Sequence, residues 1–497
     1  MNWPVIIPML GFLVIIFFIG IWSSRKTAAS GDGFIQDYFL GGRELGGFVL
    51  AMTMVATYGS ASSFLGGPGT AYTMGFGWIL LAMSQVVTGY FVLMILGKKF
   101  AILARRYNAI TLVDFLKMRY QSTAVVLLSA FAIIVFLFSA MAAQWIGGAR
   151  LVESLTGISY NTALFIFAIS VLVYVTIGGF RAVAVTDAVQ GAVMVVGTFV
   201  LLVAVIIAGG GIPNIIGDLV SENPNLITPY GNEGNLSKAY VSSFWILVGV
   251  GVVGLPQIAV RSMSYKSSVS MHRALIIGTI VTGIIMLNMH LIGVFARPIL
   301  PGIEVGDTVI PLISMEVLPA WLAGVVLAAP MAAIMSTVDS LLILVSSTVV
   351  KDVYLNYIKP DASMKTVKRA SFGVTAVLGI IVYMLALNPP DLLIFLNLFA
   401  FGGLEAAFIW PIVMGLYWKY SNKYGAIASM IMGISSYIGL HFYNQANGNL
   451  FGLHTVALPV LLSFLAFVIG SLAFERKAYS FKQARKEQLK HEYATEE

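Results

Sequence analysis

Residues 47–66 read GFVLAMTMVATYGSASSFLG. The run is apolar over about the ~20 residues that a helix needs to cross a bilayer. Halfway along stand Gly59, Ser60, Ser62 and Ser63, residues that weaken a helix and offer oxygens. A second such run, 240–260, carries Gly249, Gly251, Gly254 and then Pro256, whose ring removes one amide donor and clashes with the preceding turn. Breaks of this kind, at matching places in two halves of a chain, are where solute and ion sites form in membranes. Gly and Pro also serve as ordinary packing contacts and kinks in membrane helices.

The rest of the chain supports a membrane reading. Hydrophobic residues make up 59% of the 497 and charged residues 10%, against roughly 25% charged in soluble domains. The mean hydropathy is +0.90. There is no cysteine, which excludes a disulfide scaffold, a Cys-based zinc site and thiol catalysis. Five histidines leave little for a metal centre. The net charge of +7 suits anchoring at a cytoplasmic face better than nucleic-acid binding.

Thirteen apolar stretches follow one another: 4–22, 47–66, 77–96, 123–149, 160–179, 183–208, 240–260, 274–296, 319–347, 371–388, 391–417, 425–444 and 454–474. They do not alternate as barrel strands do, so an all-α polytopic membrane protein of 13 transmembrane helices is expected. The first stretch begins MNWP and is followed by Arg25 and Lys26; it reads as a retained span, not a signal peptide. With the N-terminus outside, every Lys and Arg falls on the inner side except Arg150, Lys238 and Arg297. A wrong span count would scatter them. The expected organisation is one transmembrane domain over 1–474. It comprises a first span at 4–22, repeat 1 at 47–208, repeat 2 at 240–417 and two last spans at 425–474. A charged cytoplasmic tail at 475–497 completes it. The two broken spans begin five spans apart, and an odd repeat length inverts the second copy, giving a five-plus-five inverted repeat of spans 2–6 and 7–11.

Gly249-x-Gly251-x-x-Gly254 fits a dinucleotide fingerprint, but it lies inside an apolar span with no strand before it. No HExxH or GxSxG motif is present. An enzyme is not expected.

Span nine reads PMAAIMSTVDS over 330–340. Ala333, Ser336 and Thr337 share one helical face at i, i+3 and i+4. Two hydroxyls mid-span suit a small cation, and unwound carbonyls in span two suit it further. The alternative is a bond from each hydroxyl to its own helix.

AAIMSTVDS (332–340), GGFRAVAVTDAVQG (178–191) and GLPQIAVRSMSYK (254–266) resemble the sodium:solute symporter family. So do ATYGSASSFLGGPGTAY (56–72), LGKKFAILARRYNAITL (96–112), QWIGGARLVE (144–153) and LNLFAFGGLEAAFIWP (396–411). The likeness covers about 4–475 and is strongest to the branch that carries pantothenate. It implies a LeuT-type core and sodium-coupled uptake of pantothenate across the inner membrane by alternating access. Sodium is then the coupling ion and the bilayer the surroundings. No nucleic acid and no obligate protein partner is expected. Carried over by motif, the sodium ligands are the carbonyls of Ala56, Gly59 and Ala333 and the hydroxyls of Ser336 and Thr337. Proline-transporting relatives carry an aspartate where this chain has Tyr58, so no acid role transfers there. Asp187 matches an acid that relatives associate with sodium passage inward. A symporter of another small carboxylate, driven by sodium or protons, and a transporter-like nutrient sensor are the alternatives.

Ionisable groups within spans are functional candidates because their burial is costly. Asp187 has Arg181 near it in sequence, so a structural ion pair is its alternative. Asp339 follows the ligand pair and is expected in an outer shell, with a bond to a neighbouring helix as its alternative. Glu405 reads as a paired or protonated packing residue or as a substrate contact, His290 as a satisfied core histidine rather than a proton carrier, and Arg261 as a cation placed by topology at the inner face. For the organic anion, helix ends at the breaks supply positive potential. The polar and aromatic candidates are Ser60, Ser62, Ser63, Gln144, Trp145, Trp245 and Gln257.

Overall fold

The computed structural model describes residues 2–27, 43–234, 236–390, 392–474 and 481, without the side chains of 17, 20–27, 173–185, 233, 364 and 368. The expectations for the rest of the tail, and for Arg181 as a neighbour of Asp187, lie outside the described residues. The regular structure of the described residues is all helical, apart from one parallel bridge between Leu45 and Tyr265. In it Leu45 N–H donates to Ser264 O at 3.1 Å and Lys266 N–H to Leu45 O at 2.9 Å.

The order is α1 (Trp3–Thr27), α2 (Gly47–Tyr58), a π turn (Ser62–Gly66), α3 (Gly67–Met74), α4 (Phe76–Met83), α5 (Thr88–Ile95), α6 (Lys99–Arg106) and α7 (Leu112–Tyr120). Then come α8 (Thr123–Thr156), α9 (Tyr160–Ala208), α10 (Ile212–Glu222), α11 (Lys238–Phe244), a π turn (Trp245–Val250) and a 3-10 turn (Gly251–Gly254). The rest is α12 (Pro256–Ser262), α13 (Ser268–Ile299), α14 (Val309–Val317), α15 (Ala320–Ser347), α16 (Met364–Ala386), α17 (Ile394–Tyr417), α18 (Lys423–Asn447) and α19 (Ala457–Phe474).

Among the described residues nine helices are long and apolar enough to cross a membrane, and eleven spans result if each of two bent pairs counts as one. The bent pairs are those expected. Gly47–Tyr58 meets Ser62–Met74 at 68°, and Lys238–Gly254 meets Pro256–Ser262 at 52°. Two shorter apolar helices, Trp3–Ile16 and Tyr160–Leu172, lead into residues whose side chains are not described. The 49-residue α9 is about 74 Å of helix at 1.5 Å per residue, more than twice a ~30 Å hydrocarbon core.

Each break has a local cause. Gly59 leaves the helix with φ −68° and ψ 114°, and Ser63 and Phe64 N–H then bond Ser60 O at 3.0 Å. The helix thus restarts one residue out of step. At the second break Leu255 is extended and Pro256 opens α12 at its first turn, where a missing N–H costs nothing. Segment 209–239, which lies between the apolar stretches, contains a helix, α10, tied to α13 by Arg297 and Glu222 at 2.6 Å. The chain's close approaches use glycine. A Cβ at Gly69 would lie 2.4 Å from the carbonyl oxygen of Gly306, so α3 sits directly against the turn before α14.

Candidate functional site

The first break exposes carbonyls. Ala56 O has no helical amide four residues on, because the helix has ended, and the N–H of Ser63, which would serve Gly59 O, bonds Ser60 O instead. Helix α15 lies alongside. Ser336 Oγ is 2.8 Å from Ala56 O and 3.1 Å from Ala333 O. Thr337 Oγ1 is 3.0 Å from Gly59 O and 2.9 Å from Ala333 O. All five residues are buried. The two hydroxyls own one proton each and meet four acceptor contacts. The cluster therefore carries surplus lone pairs, oxygen chemistry that suits a hard monovalent cation. The hydroxyls also bond back into α15 at Ala333 O, the alternative weighed from the sequence. The break itself keeps its shape through α8: Gln144 Oε1 accepts the orphaned Ala61 N–H at 2.8 Å.

A charged cluster adjoins this oxygen set. Asp187, on α9, accepts from Thr53 Oγ1 at 2.6 Å and lies 3.5 Å from Arg261 Nη2. Arg261 also donates to Thr53 O at 3.1 Å and to Ser340 Oγ at 2.7 Å. Ser340 Oγ in turn donates to Ser336 O at 2.7 Å. One guanidinium thus joins α2, α9, α12 and α15 one hydrogen bond away from the oxygen set. Arg261, expected as a cation placed by topology at the end of span seven, is in addition a buried ion-pair partner, 2% exposed. Asp339 is buried beside Ser340.

A small cavity of about 30 Å³ lies on the other side of the first break. Ser62 and Ser63 line it, with Tyr58, Gln85, His290 and Asn397. It has room for one or two waters, so the surrounding helices must part to admit an organic anion. Of the other substrate candidates, Ser60 is buried and its hydroxyl has no hydrogen-bond partner among the described residues. Gln144 is engaged at Ala61. Trp145 is fully buried, edge-on to Phe167 at 6.3 Å. Trp245 is 45% exposed on the π turn, away from the cavity. Gln257 lines a different small cavity with Arg261 and Ser340.

His290 is satisfied, as expected, by Met286 O at 2.7 Å, yet it also faces the cavity. Gln85, in the 3-10 turn Ser84–Val87, had no sequence signal, and Asn397, on α17, lies inside the resembling stretch 396–411 but was not singled out within it; packing brings both to Ser62.

Outside the spans, Asp307 is buried in the turn before α14 and accepts the Leu393 N–H at 3.1 Å, where α17 begins. Burial pushes its carboxyl up to about 7; the Leu393 bond and Arg150 oppose the rise.

A family model described as the sodium:solute symporter family matches residues 38–433. A sodium/pantothenate symporter of Haemophilus influenzae is 48% identical, over 96% of this chain and 98% of the relative. One of Escherichia coli is 49% identical, over 95% and 97%. Among solved structures, a Na+-coupled sialic acid symporter in a substrate-bound outward-open state superposes with a TM-score of 0.78 at 18% identity, covering 95% of this chain and 98% of that one. That likeness is one of fold. The matched family model and the two close relatives, each aligned over nearly its whole length, place the chain in the sodium:solute symporter family as a sodium-coupled transporter and not an enzyme.

Proposed function

We propose that this chain takes up pantothenate together with sodium across the bacterial inner membrane. The observation that carries the coupling half is the meeting of Ser336 and Thr337 hydroxyls with the carbonyls of Ala56, Gly59 and Ala333. The substrate half rests on relatives at 48% and 49% identity that are sodium/pantothenate symporters.

In this reading sodium sits among those five oxygens and holds α2 to α15. That favours the arrangement in which the solute can enter from outside. Asp187 lies on the ion's inward path and Asp339 in its outer shell. The pantothenate anion occupies an opened form of the cavity at Ser62 and Ser63, with Ser60 within reach. Ordinary helix-end potential at the break serves its carboxylate. Of the other substrate candidates, Gln144 holds the break that bounds this cavity and Trp145 packs beside it in α8, whereas Trp245 and Gln257 lie off the cavity lining. The architecture is thirteen spans with spans 2–6 and 7–11 as inverted repeats, N-terminus outside and C-terminus inside. An inside-negative potential adds about 2.3 kcal/mol per charge per 100 mV to the sodium gradient.

The test is uptake of labelled pantothenate into liposomes holding the purified protein, with inward sodium against matched choline. Accumulation above equilibrium only with sodium supports the reading. Accumulation of another carboxylate, or accumulation driven by a pH step alone, overturns the substrate or the coupling ion.

A further inference from the structure

Each bent helix pair is faced by a buried carboxyl, and the two are treated differently. Asp187, opposite the first, has a hydroxyl and a guanidinium. Glu405, opposite the second, is fully buried, and neither carboxyl oxygen has a hydrogen-bond partner among the described residues. It stands mid-way along α17 and meets the 3-10 turn Gly251–Gly254 directly. A Cβ on Gly251 would come within 2.4 Å of Glu405 Oε2, and one on Gly254 within 3.1 Å of the Glu405 Cα. No water or hydrated sodium fits between carboxyl and turn.

Among the described residues no neighbouring group offers Glu405 a charge or a hydrogen bond. The turn itself is Gly-Val-Val-Gly. From α8, Phe136 packs on α17 at Gly403. The titratable groups in electrostatic range are the phenols of Tyr58, at the end of α2, and Tyr437, on α18. Tyr58 donates to Val248 O at 3.3 Å and Tyr437 to Leu398 O at 3.4 Å. Among the described residues no ion pair involves Glu405. An ionised carboxylate in such a place has nothing to replace its water.

We propose that Glu405 is a proton-binding site: it is protonated while α17 lies against the second break, and gives its proton to water when the two part. One O–H bond forms or breaks, and water is the partner on each occasion. The packed arrangement therefore binds one proton more than the parted one, and acid favours it, by up to tenfold per pH unit where the parted state is ionised. The inference concerns the second break and does not depend on where sodium sits.

The test has two readouts. Infrared difference spectra of the purified protein, titrated from about pH 6 to about pH 9, are recorded for the wild type and Glu405→Gln. The expected result is a deuterium-sensitive C=O band of a protonated carboxyl in the wild type that Glu405→Gln lacks. Sodium-driven uptake over the same range is expected to change severalfold more in the wild type than in Glu405→Gln. A band common to both proteins, or superimposable pH profiles, overturns the proposal. If Glu405→Gln does not reach the membrane, Glu405→Asp takes its place, and it must displace the band and the profile; unchanged values overturn the proposal. The spectra stand even if pantothenate is not the solute, so the two readings fail separately.

Discussion

Thr337 Oγ1 lies 3.0 Å from the carbonyl oxygen of Gly59, a residue 278 positions earlier in the chain. The contact joins the first helix break to a helix that is itself continuous. A break alone exposes carbonyls to whatever lies beside it, and a hydroxylated helix alone bonds to itself. Together they make a five-oxygen shell.

The shell predicts a double variant. Ser336→Ala with Thr337→Ala removes both hydroxyls and leaves three carbonyls. Sodium stimulation of uptake should disappear, and the sodium concentration for half-maximal binding should rise at least tenfold, about 1.4 kcal/mol. Sodium titration of intrinsic fluorescence and of uptake checks this; full stimulation of the double variant places the ion elsewhere.

Arg261 and Asp187 should be coupled. Arg261→Met leaves a buried carboxylate without its cation, and truncating one partner of a buried pair costs roughly 3–5 kcal/mol. Asp187→Asn added to it should recover much of the lost thermal stability in detergent. Additive losses in the melting curves of the two single variants and the double would show that the two residues act independently.

Gln144 should matter for the shape of the break more than for the solute. Gln144→Leu leaves the buried Ala61 N–H without its acceptor, a loss of about 1–3 kcal/mol. Gln144→Glu keeps an acceptor. The expected outcome is a lower melting temperature for Leu than for Glu, with the sodium dependence of uptake weakened in step. An altered half-saturating pantothenate level with unchanged melting would instead mark Gln144 as a solute contact.

Asp307 gives a pH dependence with a definite sign. Its carboxyl is raised to about 7 in the folded protein, so the folded state holds the proton more tightly than an unfolded chain does. The stability from that proton is fully present below the ordinary aspartate range near 4 and is lost as pH rises through about 7, at roughly 1.4 kcal/mol per unit of pKa difference. Asp307→Asn, which cannot ionise, should melt higher than the wild type above pH ~8 and not at pH ~4. Melting curves at the two pH values decide it, and a variant that gains nothing at the higher pH removes Asp307 as the cause.

Much of this was legible in the residues. Apolar run length and the one-sided placement of Lys and Arg gave the membrane class. Gly59 and Pro256 marked both breaks, because each residue acts on its own backbone. Ala333, Ser336 and Thr337 could be grouped because they share one helix face. The substrate contacts were less accessible. Trp245 and Trp145 stood together as substrate candidates, yet Trp245 is 45% exposed and Trp145 is buried edge-on to Phe167. Aromatic residues in spans read alike whichever way they point.

What the sequence determined by itself is therefore local: which segments are helical, where two of them give way, and which side chains carry oxygen or charge. Only the tertiary structure decided the partners. It set Arg261 on Asp187, gave Gln144 to the Ala61 amide, gathered Gln85, His290 and Asn397 around Ser62, and left Glu405 against Gly251 with no partner among the described residues. The physical reason is range. Helix propensity and hydropathy act over a few neighbouring residues, whereas a buried hydrogen bond or ion pair depends on how distant helices turn their faces to one another.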